Sequence, residues 1–306
     1  HIGVLQALEE KNIPIVGIVG TSMGSIIGGL AASGHSPEEI LEVVETLDLG
    51  NLMSEQATPI FVPSGDSDAR LNQIPWAYMD KKGNVTGPLG GLTGVKLLEK
   101  FAQLASRVQI VHFDDLPIPF AAVATDLETG KKVVLRSGSL ASAMRASMSI
   151  PILFEPWSIG GKLLVDGGLV SNLPVFTAKE IFPGYPVVAV DVTSSPRSKE
   201  QLRSILDVID QTTTIFTAAN VAVEKLAADV LITPDVRGVA MFDTRSARQV
   251  VENGRMVAMG HMPEIERRIA AAPAAPHRQK KPVPTVSDIR FEGVSAKMAG
   301  VLREKY

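Results

Sequence analysis

No cysteine occurs among the 306 residues. That absence excludes disulfides, thiolate metal sites and a cysteine nucleophile, and it suits a protein that crosses an oxidising compartment without mispairing. Excess positive charge is also missing: the formal net charge is −3, so nucleic acid is not an expected partner. Histidine is scarce, with five in the chain. His277 sits among prolines, His261 inside a long helical stretch, and His112 ahead of the loop Phe113-Asp-Asp-Leu-Pro117. Together with His1 and His35, none adjoins a motif that presents a catalytic base. What is present is an ordinary globular balance, 45% hydrophobic and 21% charged, in a chain long enough for one large α/β core and an appendage.

Charge is lacking locally as well. From Asn12 to Pro37 there is no Asp, Glu, Lys or Arg, and Gly20, Gly24 and Gly28 repeat at GxxxG spacing. A transmembrane helix is the rival reading of this stretch. Pro14, the β-branched run Ile15-Val-Gly-Ile-Val19 and the polar Thr21-Ser22 divide it instead into a buried strand (14–19), a turn and a small-residue helix (22–33).

Before this strand, residues 2–11 read as a helix with Ile2, Val4, Leu5 and Leu8 on one face and Glu9, Glu10 and Lys11 on the other. That helix is already under way at His1, so a preceding segment is expected. After Ser36, an N-cap followed by Pro37, another helix begins. Such alternation predicts a three-layer α/β/α fold with a mainly parallel central sheet. Residues 48–94 break the pattern with Gly, Pro, Asp and Ser around scattered apolar side chains such as Phe61, Trp76 and Leu89. They read as a decorated surface loop or as a lid in contact with a membrane. Helix (94–105), strand (119–124), a hairpin turn at Asp126–Gly130 into 133–135, helix (139–148), strand (163–165), helix (174–182), strand (187–190), helix (201–227), strand (230–232) and helix (244–270) follow.

Gly20-Thr-Ser-Met-Gly24 fits G-x-S-x-G and lies between a buried strand and a helix, where that motif presents a serine nucleophile. A sharp turn lifts the hydroxyl of Ser22 clear of the sheet, flanking glycines permit the close approach, and the helix N-terminus favours negative charge. The bland alternative is a tight turn with Ser22 as N-cap. A serine nucleophile needs a base. With no well-placed histidine, carboxylates are the candidates: Asp166, opening Asp166-Gly-Gly168 after Leu163-Leu-Val165, and Asp191, which ends another buried strand. Asp126 reads better as a turn residue.

These segments together resemble the patatin-like phospholipases. The matching stretches are His1-Ile-Gly-Val-Leu-Gln-Ala-Leu-Glu-Glu10, Gly20-Thr-Ser-Met-Gly-Ser25, Ala124-Thr-Asp-Leu-Glu-Thr-Gly130, Met144-Arg-Ala-Ser-Met-Ser-Ile-Pro151 and Leu164-Val-Asp-Gly-Gly-Leu-Val-Ser-Asn-Leu-Pro174. They stand in family order over about residues 1–195. The resemblance implies a patatin-like fold and a Ser–Asp dyad without histidine, with Ser22 as nucleophile and Asp166 as base. It also implies a phospholipid or other lipid ester as substrate, a membrane surface as partner, and no metal or other cofactor. A homodimer is possible under this reading. The family's Gly-Gly-Gly-X-Arg-Gly loop, whose amides stabilise the oxyanion, would precede His1 and is expected there. Two rivals stand beside the dyad: an α/β-hydrolase-type esterase with a Ser-Asp-His triad using His261, and a catalytically inactive lipid-binding module.

The expected organisation is a lipid acyl hydrolase domain at 1–270, a Pro/Ala/basic linker at 271–285 and a strand and helix at 286–306. The last segment is similar to the start of a POTRA module. A patatin-like domain followed by such a module resembles the passenger of a fused type V autotransporter. That implies export to the cell surface of a Gram-negative bacterium, an outer-membrane barrel beyond Tyr306 and a role in virulence; a cytoplasmic enzyme is the alternative.

Overall fold

The structure is a computed structural model. It describes residues 1–47, 78–79, 85–86, 89–108, 110–193, 196–202, 205–237, 239 and 246–275. Of the expected loop or lid at 48–94, residues 48–77, 80–84 and 87–88 lie outside the described residues, as do most of the linker and the POTRA-like segment at 286–306. In chain order the elements are α1 (Ile2–Glu10), β1 (Ile18–Thr21), α2 (Met23–Ala32), α3 (Pro37–Thr46), β2 (Tyr78–Met79), β3 (Val85–Thr86), β4 (Gly90–Leu92), α4 (Val95–Ala105), β5 (Phe120–Asp126) and β6 (Lys132–Leu135). There follow α5 (Leu140–Ser147), β7 (Ile152–Phe154), β8 (Trp157–Ile159), β9 (Lys162–Asp166), α6 (Gly168–Ser171), α7 (Val175–Ile181), β10 (Val188–Val190), α8 (Ile205–Ala227), β11 (Val230–Ile232) and α9 (Ala247–Ala270).

The uncharged stretch folds as the strand, turn and helix its composition suggests. Its glycines serve packing rather than a bilayer. A β-carbon at Gly28 would sit 2.7 Å from the Ile18 side chain, and one at Gly29 would sit 2.8 Å from the Met144 sulfur. Glycine there lets α2 press against β1 and α5. Among the described residues no helix is long and apolar enough to cross a membrane. α3 begins as its sequence implies: the Ser36 hydroxyl accepts from Glu39 N, the Glu39 carboxylate accepts from Ser36 N, and Pro37 occupies the first turn.

The central sheet departs from expectation. It is mixed, not mainly parallel. β1 pairs with β5 in parallel, while β6 and β9 pair with β5, and β8 with β9, all antiparallel. The reason lies in the connections. Within this sheet a short turn at Asp126–Gly130 leads from β5 into β6, and Gly160-Gly161, both with positive φ, joins β8 to β9. Links this short can join only antiparallel neighbours. Two further pairs are parallel, β10 with β11 and β4 with β7.

β5 is the hub. All seven of its residues are buried, so helices and loops cover both of its faces. Phe120, Ala122 and Ala124 point into a core shared with Phe101 of α4 and Met144 of α5. A second core, with Ile2, Ile27, Leu30, Ile40 and Val251, binds α1, α2, α3 and α9 together.

Candidate active site

A strand has two edges, and the register of β5 makes both count. β6 covers one edge from Ala122 to Thr125. The other edge is shared: β1 covers it up to Thr21 opposite Val123, and β9 takes over with Asp166 opposite Ala124. Two strands running in opposite directions therefore end against each other on one edge. Their C-terminal tips carry Ser22 and Asp166, residues 144 positions apart in sequence. The Ser22 hydroxyl donates to Asp166 Oδ2 at 2.6 Å.

Local chemistry sharpens each tip. Ser22 has φ 52° and ψ −121°, a conformation that costs a side-chain-bearing residue on the order of 1–3 kcal/mol and lifts its hydroxyl out of the sheet. The turn is tight enough that a β-carbon at Gly20 would lie 2.3 Å from the Gly24 carbonyl oxygen. Gly20→Ala should accordingly destabilise the fold by about 2 kcal/mol or more and cut activity with it; a thermal melt paired with an esterase assay checks this.

Asp166 is held on four sides. Its N–H donates to Ser149 O at 2.9 Å. Its carbonyl accepts from the Thr125 hydroxyl at 2.8 Å, and Oδ1 accepts from Gly168 N at 2.7 Å. Ser22 takes the remaining carboxylate oxygen. The glycine after it is obligatory, since a β-carbon at Gly167 would meet Val123 O at 2.2 Å. Among the described residues no cation pairs with this carboxylate. Burial pushes its pKa up from 3.8 to about 6, and the donors Ser22 and Gly168 pull only partly the other way. At neutral pH such a group is mostly ionised, yet far more basic than an exposed aspartate.

The loop after Asp166 is braced from α8. Asn220 Nδ2 donates to Gly168 O at 3.0 Å, and Asn220 Oδ1 accepts from Asn172 N at 3.2 Å. Glu224 accepts from the Ser171 hydroxyl at 2.7 Å. A cavity of about 650 Å³ adjoins the pair, with Leu5, Ile15, Leu173 and Phe182 among its apolar walls and Ser22 and Asp166 also in its lining.

The competing candidates stand elsewhere or are engaged. Asp191 borders the same cavity, but its carboxylate is held by Lys225 Nζ at 2.5 Å and by Thr193 N at 2.9 Å. Asp126 accepts from Glu128 N at 3.0 Å, as a turn residue does. His261 lies in α9, His112 bridges to Ser137, and buried His35 closes the end of α2 against Leu30 O. His1 also borders the cavity. Among the described residues no group of three His, Asp or Glu side chains is placed to hold a metal ion.

Several residues that build the site had no local signal. Asn220 and Glu224 reach it from a helix whose other face is exposed, and nothing in their neighbourhood marks them. Ser147 and Ser149 stand within the Met144–Pro151 stretch, but that stretch gave them no role in advance. The buried Arg145 beside them donates to Ser149 Oγ, Thr93 O and Glu155 O and lies over the rings of Phe154 and Trp157.

A strained serine at a strand–helix turn, bonded to a buried carboxylate on a mixed α/β sheet, has the parts that hydrolysis through a serine nucleophile requires. The comparisons make the class specific. The family model for patatin-like phospholipases matches residues 1–179, and the chain belongs to that family.

An uncharacterised NTE family protein of Mycobacterium tuberculosis is 34% identical over 175 residues, covering 57% of this chain and 40% of that protein. The lysophospholipase NTE1 of Mycosarcoma maydis is 31% identical over 202 residues, 65% of this chain and 9% of its own length. A patatin-like phospholipase domain-containing protein of Caenorhabditis elegans is 33% identical over 198 residues, 63% and 12% respectively. The chain thus spans two-fifths or less of these relatives. Among solved structures, the type III effector protein ExoU aligns over 87% of this chain and 50% of its own, at 15% identity and a TM-score of 0.40.

Proposed function

We propose that this chain is a lipid acyl hydrolase of phospholipase A type, with Ser22 as nucleophile and Asp166 as its only side-chain base. The observation that carries the reading is the 2.6 Å hydrogen bond from the Ser22 hydroxyl to a buried carboxylate that pairs with no cation among the described residues. Membership of the patatin-like phospholipase family supports lipid as the substrate class.

The chemistry is two-step acyl transfer. Asp166 accepts the Ser22 proton as Oγ attacks the ester carbonyl carbon. The tetrahedral intermediate collapses, the C–O bond to the alcohol breaks, and the alcohol leaves with the proton held by Asp166. Water then gives a proton to Asp166 and attacks the acyl-serine. Free fatty acid departs and Ser22 regains its proton. The oxyanion formed in each step needs donors worth on the order of 3 kcal/mol each. The family's glycine loop ahead of α1 is the proposed source, aided by the first-turn amides of α2.

Lipid esters reside in bilayers, so a membrane surface is the proposed working partner. Export through an outer membrane, with a POTRA-like module after residue 285, is the accompanying proposal for the chain's setting. Phosphatidylcholine vesicles incubated with the full chain should yield free fatty acid and lysophospholipid. His261→Ala should hydrolyse them within about two-fold of wild type, because no histidine takes part in the proton transfer. Loss of activity in that variant would favour a triad instead.

A further inference from the structure

Ser147 stands where no ordinary structural need puts a serine. It ends α5 and is fully buried. A serine at such a position usually turns its hydroxyl back onto the carbonyl one turn earlier. Ser149, two residues on, does this, donating to Arg145 O at 2.9 Å. Ser147 does not. Its hydroxyl reaches across to the sheet and donates to Val123 O at 2.6 Å, while accepting from the Ser22 backbone N–H at 3.0 Å. Its own carbonyl accepts from Gly167 N at 3.3 Å. One residue thus touches the main chain of the nucleophile, the hub strand beneath it and the loop that carries the base.

Resting on the dyad reading above, we propose that Ser147 is a positioning residue: its hydroxyl pins the Ser22 backbone in the strained conformation that aims Oγ at Asp166. Three facts converge. The Ser22 backbone has φ 52° and relaxes unless something holds it. The pin must accept from an N–H and donate to a carbonyl at once, which a hydroxyl does and a methyl group does not. Ser147 itself is fully buried, so its loss leaves the Ser22 N–H and the Val123 carbonyl without the partner they share. Removing it frees Ser22 to rotate and lengthens the bond on which proton transfer depends, a small displacement with a large kinetic effect. Substrate contacts are untouched, so the loss falls on kcat rather than KM.

The test uses the full chain and three variants: Ser147→Ala, Ser147→Thr and, as a control, Ser142→Ala. Ser142 lies on the same helix and accepts from Trp157 Nε1 at 2.6 Å, so its loss costs a comparable hydrogen bond remote from the dyad. Ester hydrolysis gives kcat and KM, a fluorophosphonate probe gives the rate of serine modification, and thermal melts give stability. Ser147→Ala should lose roughly 10- to 100-fold in kcat, with KM within about two-fold and a parallel fall in probe rate. Ser147→Thr should restore most of both. Ser142→Ala should melt earlier while keeping the kcat of its folded fraction. If wild type reacts with probe and ester while Ser147→Ala reacts equally fast, or if kcat loss in the two alanine variants merely follows their melting temperatures, the pin is refuted and the dyad stands. If wild type reacts with neither, the dyad itself fails.

Discussion

Asp166→Asn should abolish lipid ester hydrolysis and yet leave the protein more stable at about pH 8. The kinetic half follows from the geometry: the amide fills the same space, accepts from Gly168 N, and has no basic oxygen for the Ser22 proton. A fall of roughly 10³-fold or more is expected for loss of a base of this kind. The stability half follows from linkage. Folding raises the Asp166 pKa from 3.8 to about 6, so the folded protein binds this proton more tightly than the unfolded chain does. The resulting stabilisation is full below about pH 4 and is lost as pH rises through about 6. Above that, the buried ionised carboxylate lowers stability by about 3 kcal/mol. Asparagine carries no such penalty. Urea titrations at about pH 4 and pH 8 should show the variant gaining about 2–3 kcal/mol over wild type at the higher pH and little at the lower. A gain over wild type that is the same at both pH values would remove the case for a buried base of raised pKa. In wild type, activity should fall as pH drops through about 6, where the same group takes up its proton.

Ser22→Ala should reduce fatty acid release to the background rate, a loss of roughly 10⁴-fold or more, with the fold intact. The hydroxyl donates to Asp166 Oδ2 beside the cavity, and it belongs to none of the hydrophobic cores. Its removal takes away one of the two donors that restrain the Asp166 pKa, and the carboxyl becomes more basic still. The backbone supplies an internal control. Because position 22 has positive φ, Ser22→Gly should be more stable than Ser22→Ala by about 1 kcal/mol, although both lack the nucleophile. Equal melting of the two would mean the elbow is relaxed in solution. Residual hydrolysis near wild type in either would place the chemistry on another residue.

The sequence made the ends of the site legible and hid what joins them. Gly20–Gly24 and Asp166–Gly168 each carry their own steric logic, and the elements around them fell close to expectation: α3 begins at its Ser36 cap, and β9 ends at the expected carboxylate. That these two tips meet was not visible locally. It depends on β1 and β9 sharing one edge of β5, a register between strands more than 100 residues apart. The first strand illustrates the same limit. Its apolar run starts at Ile15, but pairing starts at Ile18, because β5 begins only at Phe120, after Pro117 and Pro119. Proline has no N–H for a ladder, so the partner, not the strand itself, sets the boundary. The sheet's mixed character was hidden for a related reason. Alternating helices and strands in the first third suggest parallel neighbours, whereas two short turns later in the chain reverse the direction. Short strands such as β7 and β8 were missed outright, since three residues carry no period to detect.

The central claim is that one hydroxyl, activated by one buried carboxylate, performs acyl transfer. Reacting the full chain with a fluorophosphonate and mapping the adduct by peptide mass spectrometry over a range of pH tests it most directly. The expected result is a single adduct on Ser22, formed at a rate that rises with one ionisation near pH 6 and vanishes in Asp166→Asn. An adduct on any other residue, or an Asp166→Asn protein labelled at the wild-type rate, would contradict it.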